Sequence, residues 1–527
     1  MCILQDSATL IPPTTGVRSG APGQNTIRQH IIWRARAINR GCRELTGVRT
    51  GAKLRMTMTK RHILLIVAVL ACLGARAQRY SFTFAPEGRG DSVLYLARHY
   101  RDRLIMLDTA RQGTRRHDYT FAGSRAWDEG VYVLVGQDGK EQIADFLLGD
   151  SRRFTMTGDK SMGAASVKVN GSEANRQMFA YMARLQQARR QQDSLKGAGD
   201  SRALDSLGAV MTAYESRVRK EQAGNLFFRL LEACDNGSVP DSVADPATHY
   251  RHHYWDAFFD PSLRSRAGRE ALLYSPHLYN KLNYFFFGLL YYASADTICR
   301  DLDDLMGRIG DDTAMRRYVL QFIEPRYYRS TKNIGWDAVW CHMVEQYYQK
   351  GLCPWAKESE LYVMNKNHSR IIQSLIGAHG QELWMIDTTQ IDAPEHWRSS
   401  HRSPERYVVL WFWDPDCHHC QEHSAELKLL YDSLQAAPDH RFEVYAVGYY
   451  HDVERWRSYV REHDFRWINV GGSNVNIDYQ EAYNVHSAPT MIILDEHRDI
   501  IMNKMLPIRD LLPFLDKHEK KRQNGHH

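Results

Sequence analysis

Three hydrophobic rhythms follow one another along this chain of 527 residues. The first has period two. Tyr80-Ser81-Phe82-Thr83-Phe84, Ser92-Val93-Leu94-Tyr95-Leu96, Val131-Tyr132-Val133-Leu134-Val135 and Arg153-Phe154-Thr155-Met156-Thr157 are separated by Gly- and Asp-bearing turns such as Gln137-Asp138-Gly139. Strands joined by tight turns read this way, so residues 78–170 are expected to form an antiparallel β domain, a small sandwich. The second rhythm is helical. Behind a Ser172 cap, Met178, Tyr181, Met182 and Leu185 recur at helical spacing; Lys196-Gly197-Ala198-Gly199-Asp200 breaks the pattern, and a second amphipathic stretch runs to about Cys234. An all-α domain is therefore predicted over 171–365, opening with a helical hairpin. Within it, Tyr284–Ala295 is almost wholly apolar, yet short enough to predict a buried helix rather than a membrane span.

The third rhythm alternates strand and helix from 366 to 527. Tyr407–Trp413 is a continuous apolar run, as a strand buried on both faces should be. After it come a helix (Cys417–Leu434), a strand (Phe442–Gly448), a helix (Val453–His463), short strands at Trp467–Val470, Met491–Asp495 and Ile500–Met505, and a final helix (Ile508–Lys521). An α/β sheet flanked by helices is the expected architecture. The fold class is thus multidomain: an antiparallel β domain, an all-α domain and an α/β domain in that order.

Composition changes this picture little, since 43% apolar and 25% charged residues describe an ordinary globular chain. Charge changes it more. The twelve Lys and Arg of residues 1–77 face only Asp6 and Glu44, so the net +6 of the whole becomes −4 beyond residue 77. The basic balance belongs to the leader, and no nucleic-acid partner is implied. From Met56 or Met58 that leader shows a basic start, the apolar stretch Ile63–Leu73 and then Ala75-Arg76-Ala77. This order predicts a secretory signal peptide over 56–77, cleaved to leave Gln78 first. Residues 1–55, rich in Arg, Gly and Thr, read as an upstream, disordered extension. Val69-Leu70-Ala71-Cys72 is a poor match to a lipoprotein box, so anchoring through Cys72 is the lesser expectation beside free export to the periplasm or cell envelope.

Export places six cysteines in an oxidising compartment: Cys234, Cys299, Cys341, Cys353, Cys417 and Cys420. Only Cys417-His418-His419-Cys420 has a spacing that implies chemistry; the other four read as small buried apolar residues. A CxxC placed where a buried strand turns into a helix puts its first sulfur at the helix N-terminus, among free N–H groups and the positive end of the dipole. The second sulfur lies one turn along the same face. Cys417 is the expected nucleophile and Cys420 the resolving thiol. His419 can place a hydrogen bond or positive charge beside the Cys417 thiolate and favour the reduced form, while Asp416 opposes it with negative charge. Four consecutive residues cannot close a tetrahedron round one ion, so no metal is expected there. His249, His252, His253 and Asp256 could share a helix face, but a metal shell would need further ligands, and solvated histidines are expected. The aromatic stripe Tyr284, Phe285, Phe286, Phe287, Tyr291 and Tyr292 reads as core.

A further element is His486-Ser487-Ala488-Pro489-Thr490 ahead of the apolar strand Met491-Ile492-Ile493-Leu494. With the CxxC it resembles the thioredoxin superfamily. By that resemblance Pro489 is cis, Ala488 contacts substrate through its backbone, and Trp413 belongs to the substrate-binding surface. Trp411-Phe412-Trp413-Asp414-Pro415-Asp416-Cys417 most resembles TlpA/ResA-like envelope proteins, especially the multidomain forms of Bacteroidetes with a β domain, a helical segment and a C-terminal thioredoxin-like domain. The sequence departs from the family at several positions. Asp416 stands where a tryptophan usually precedes the first cysteine, Trp411 where thioredoxin has a buried acid, and His423 and Ala425 where ResA-like proteins often have Glu and Pro. His423 and Glu422 are the candidates for a proton relay.

The resemblance implies an exported thiol–disulfide oxidoreductase that exchanges disulfides with envelope proteins, without a diffusible cofactor. A membrane electron donor upstream of it favours reductase over oxidase or isomerase. A second class is an envelope binding or assembly protein in which the redox pair only regulates docking. A thiol peroxidase is disfavoured, because Trp413-Asp414-Pro415-Asp416 offers no Thr ahead of the cysteine.

Overall fold

The computed structural model describes residues 80–524 apart from 115–116, 236–238, 241, 260–265, 329–332, 388–395, 436–439 and 449–451. The expected extension, signal peptide and Cys72 anchor lie outside the described residues. Eight strands come first: β1 (Tyr80–Pro86), β2 (Val93–Tyr100), β3 (Arg103–Arg111), β4 (Tyr119–Gly123), β5 (Gly130–Val135), β6 (Gln142–Leu148), β7 (Arg153–Gly158) and β8 (Lys168–Asn170). They form two four-stranded sheets, β4-β1-β7-β8 and β3-β2-β5-β6. The alternation in β1 does what its period requires: Tyr80, Phe82 and Phe84 are buried, and the polar residues between them are not. Phe82 and Phe84 of one sheet meet Phe146 of the other at ring distances of 5.9 and 5.0 Å, so the two inner faces make a sandwich core. One pairing departs from the antiparallel expectation: β1 and β7 run parallel, in register from Ser81 with Arg153 to Pro86 with Gly158. Pairing direction depends on how the chain returns between strands, which alternation does not encode.

Among the described residues ten α-helices follow: α1 (Glu173–Ala198), α2 (Ser201–Glu221), α3 (Leu226–Ala233), α4 (Pro246–His253), α5 (Arg266–Leu273), α6 (Pro276–Tyr284), α7 (Ala295–Ile309), α8 (Thr313–Tyr328), α9 (Trp336–Met343) and α10 (Glu358–Ile371). Ser172 caps α1 by accepting the Asn175 N–H at 3.3 Å. Gly199 ends it with φ of 69°, the left-handed conformation that glycine adopts freely. The second arm does not run unbroken to Cys234. It stops at Glu221, and Asn225 caps a separate α3 by accepting the Phe227 N–H at 3.0 Å. The segment Tyr284–Ala295 is not one buried helix either: α6 ends at Tyr284, a π-turn covers Phe285–Leu289, and the chain then turns. Phe285 and Phe286 enter the core, whereas Tyr284, Tyr291 and especially Tyr292, at 95% exposure, do not. Among the described residues no helix is long and apolar enough to cross a membrane.

The last module is a seven-stranded sheet in the order β10-β9-β13-β12-β11-β14-β15, built from β9 (Trp384–Asp387), β10 (Trp397–Ser399), β11 (Tyr407–Trp413), β12 (Phe442–Gly448), β13 (Ile468–Val475), β14 (Thr490–Leu494) and β15 (Ile500–Met502). Its helices are α11 (His418–Gln435), α12 (Val453–Glu462), α13 (Tyr479–Ala482) and α14 (Leu511–Asn524). β11 lies between parallel β12 and antiparallel β14, and all seven of its residues are buried. Tyr407, Val409, Trp411 and Trp413 face one apolar layer with α11, α12 and α14, while Val408, Leu410 and Phe412 face the other. The continuous apolar run therefore reflects a strand covered on both sides. β9 and β10 extend the sheet beyond what periodicity signalled.

Candidate active site

The chain leaves β11 at Trp413, turns through Asp414-Pro415-Asp416 and enters α11 at His418. Two hydrogen bonds shape that turn: the Cys417 N–H donates to the Asp414 carbonyl at 3.2 Å, and the Asp416 N–H to Asp414 Oδ1 at 2.8 Å. Cys417 is thereby held at the mouth of the helix, half-buried, with the Cys420 N–H donating to its Sγ at 3.2 Å. Cys420 is wholly buried one turn below. Both are free thiols. Burial, then the hydrogen bond with Cys417, push the Cys420 thiol up to about 12, and the nearby charges of Cys417 and Asp414 add to this against the relief from the Asp414 N–H. The inner sulfur is thus a proton-holding thiol and the outer one is the reachable group.

Across from Cys417 stands the loop before β14. The Ala488–Pro489 peptide is cis, and the Ala488 carbonyl lies 3.8 Å from Cys417 Sγ. The CxxC and this loop are 71 residues apart in sequence, and they meet because antiparallel β14 pairs with β11 from Val408 with Leu494 to Phe412 with Thr490.

The structure places the other expected site residues elsewhere. Trp413 is not on the substrate surface: it is fully buried, 5.9 Å from the Trp456 ring, 5.5 Å from Tyr459 and 5.6 Å from Phe465. It is the last inward position of β11, and a residue sealed beneath α12 cannot touch a bound polypeptide. His419 is exposed and turns to Glu422 at 3.4 Å, not to Cys417. Glu422 is shared with His418 at 3.2 Å, and His423 faces Glu426 at 3.5 Å. These contacts turn exposed Glu422 to the two histidines of the CxxC, while half-buried His423 pairs with Glu426. The charge of Asp416 beside the nucleophile is met by Arg455 of α12, which ion-pairs with it.

Two site groups escaped sequence reasoning. Asp414 supplies the carbonyl that fixes Cys417 and the N–H and charge that act on Cys420; its place three residues before the first cysteine was the available signal. Arg455 carried none, because its partner lies 39 residues away. The histidines of α4, expected to be solvated, lie near Asp256 just beyond the helix: His253 Nδ1 meets Asp256 at 2.7 Å, and Arg308 of α7 meets the same carboxylate at 2.6 Å.

A family model described as thioredoxin-like matches residues 405–500. The C-terminal region is a thioredoxin-like domain. Among similar solved structures is a domain of a possible thiol-disulfide isomerase from Cytophaga hutchinsonii, 28% identical, covering 28% of this chain and 97% of that one with a TM-score of 0.25. A thioredoxin-like protein from Bacteroides caccae is 16% identical and covers 54% of this chain and 97% of its own, with a TM-score of 0.40. The thioredoxin domain of a thiol-disulfide oxidoreductase from Bacteroides vulgatus is 23% identical over 27% of this chain and 96% of that one, with a TM-score of 0.23. None of the curated proteins matches the chain.

Proposed function

We propose that this protein is an exported thiol–disulfide oxidoreductase of the cell envelope, acting as a reductase on disulfides of other proteins. The observation that carries the reading is the apposition of a half-buried Cys417 sulfur to the Ala488 carbonyl, with the buried Cys420 directly behind it. Cys417 attacks one sulfur of a substrate disulfide and the other leaves as a thiol. Cys420 then gives up its proton and attacks Cys417, which releases the second substrate thiol and leaves a Cys417–Cys420 disulfide. Two electrons pass to the substrate, and a dithiol donor at the membrane restores the pair. The backbone of Ala488 offers a substrate segment a strand-like partner beside the nucleophile. Arg455 offsets the charge of Asp416 at the lip of the site. The basic–apolar–small order of residues 56–77 supports export.

The test is the equilibrium potential of the pair, read by alkylation and peptide mass in graded thiol–disulfide buffers. A value near or below about −270 mV supports a reductase, and one near about −180 to −120 mV supports an isomerase or oxidase instead. Absence of any reversible exchange at Cys417 and Cys420 refutes the proposal.

A further inference from the structure

The helical region does more than precede the redox module: α10 (Glu358–Ile371) runs past the expected boundary at residue 365 and keeps Leu361, Met364 and Ile371 on the helical core. It reaches into the loop that faces the nucleophile. Arg370, in the last turn of α10, ion-pairs with Glu481 of α13 at 2.7 Å and donates from Nη2 to His486 Nδ1 at 3.4 Å. With Nδ1 accepting, the neutral imidazole carries its proton on Nε2, which donates to Asn484 Oδ1 at 2.7 Å. Burial, then the adjacent Arg370 charge, lower the His486 pKa and so favour this neutral form, while Glu481 acts in the opposite sense. Asn484 itself sits at φ of 53°, a left-handed turn that asparagine tolerates better than most residues. A continuous chain of contacts therefore runs from Arg370 through His486 to Asn484, and from Arg370 to Glu481. Between them these residues brace the start of the segment that ends at Ala488, whose carbonyl faces Cys417.

The same two modules are tied at a second point. Asn503 donates to Asp337 Oδ2 of α9 at 2.6 Å and to the Ser374 carbonyl at 2.9 Å, and Lys504 lies 3.4 Å from Asp337. The backbone also continues from one module into the sheet of the other, because Gly377 N–H donates to the Ile500 carbonyl and Ile500 N–H to the Ala378 carbonyl, both at 2.8 Å. The docking is anchored at Asp337 whether or not Arg370 is present. Removing Arg370 should loosen the substrate loop without detaching the module.

We propose that Arg370 is a positioning residue for substrate: through Glu481 and His486 it holds the Asn484–Ala488 segment in the turn that presents the Ala488 backbone to an incoming polypeptide, so the helical module forms part of the exchange site. This rests on the oxidoreductase reading above and assigns the helical module a role within it. The module's contribution is to binding and not to the sulfur chemistry, since Arg370 acts on the loop and the two sulfurs are held by the Asp414–Cys420 turn.

The experiment uses the full chain with wild-type, Arg370→Ala and Arg370→Lys proteins, and a disulfide-linked peptide as the probe. Steady-state reduction of the peptide is measured with the pair kept reduced by a chemical dithiol, alongside the equilibrium potential of the pair. For Arg370→Ala, kcat/KM should fall roughly tenfold, with the loss carried by KM and the potential unchanged. Arg370→Lys, which keeps the charge beside Glu481, should recover much of the loss. Unchanged peptide kinetics in Arg370→Ala overturn the inference, as does a loss confined to kcat with a shifted potential. If the wild-type protein itself reduces no peptide and its cysteines show no reversible exchange, the oxidoreductase reading fails together with this one.

Discussion

If the assignment of the two sulfurs is right, Cys420 should be nearly inert to alkylation while Cys417 is labelled. Cys420 is wholly buried, and its thiol is raised from an ordinary 9.0 to about 12. That change multiplies the proton's hold on the sulfur roughly a thousandfold, about 4 kcal/mol at 1.36 kcal/mol per tenfold step. Only the thiolate is alkylated. At pH 8 the inner cysteine should therefore hold a thiolate fraction roughly a thousandfold below that of an ordinary exposed cysteine and react correspondingly slowly, with burial slowing it further. The assay is a short pulse of iodoacetamide on the reduced full chain, an acid quench, and peptide mass across the segment holding both cysteines. Wild type and Cys420→Ser should be labelled at Cys417. Cys417→Ser should leave Cys420 protected, because burial outweighs the hydrogen bond and charge that Cys417 contributes. Labelling of Cys420 as fast as Cys417 in the wild type would reverse the order of attack. Labelling of Cys420 at an ordinary rate in Cys417→Ser would show that burial is not what protects it.

Trp413→Ala should destabilise the redox module by about 3–5 kcal/mol, the usual cost of truncating a large buried aromatic, read as a lower urea midpoint for its unfolding. Gly171→Ala should lower the melting temperature of the amino-terminal region: its φ of +90° is strained for any side chain, and a Cβ would lie 2.7 Å from the Arg153 carbonyl. His277 of α6 is pushed down to about 4 by burial, with Asp145 opposing and His99 reinforcing the shift. Its folded pKa lies below the unfolded one, so the stability it supports is intact above about pH 6.5 and lost as pH falls towards about 4. Thermal melts at pH 7 and 4.5 should differ by about 2 kcal/mol more in the wild type than in His277→Gln.

The redox turn was legible in the sequence because everything that defines it is local. A continuous apolar strand, a CxxC at the following helix start and, 71 residues after the first cysteine, a residue before a proline that opens another apolar strand are each readable within a short window. Trp413 was misread for an equally physical reason. A strand buried on both faces has no polar alternation to mark which way a side chain points, so the last aromatic before a redox turn looks the same whether it lines a groove or fills a core. Only the covering helix, with Trp456 and Tyr459 in place, decides that.

His419 shows the complementary limit. Its position beside Cys420 is fixed by spacing, but its rotamer is drawn outward by Glu422, three residues along the same helix. Local preference names the neighbours a side chain can have, and the competition among them is settled in three dimensions.

The sequence by itself determined the order of the three modules, the period of most of their elements and the two sulfurs, because those depend on short-range patterning of apolar residues and on bond geometry within one helical turn. The tertiary structure alone decided the parallel return of β7 beside β1, the pairing of Asp416 with Arg455, and the contact of Arg370 with a loop 116 residues further on. Each of these joins polar or backbone groups that are distant along the chain. Such partners meet only when the hydrophobic layers between them have packed, and no local pattern carries their addresses.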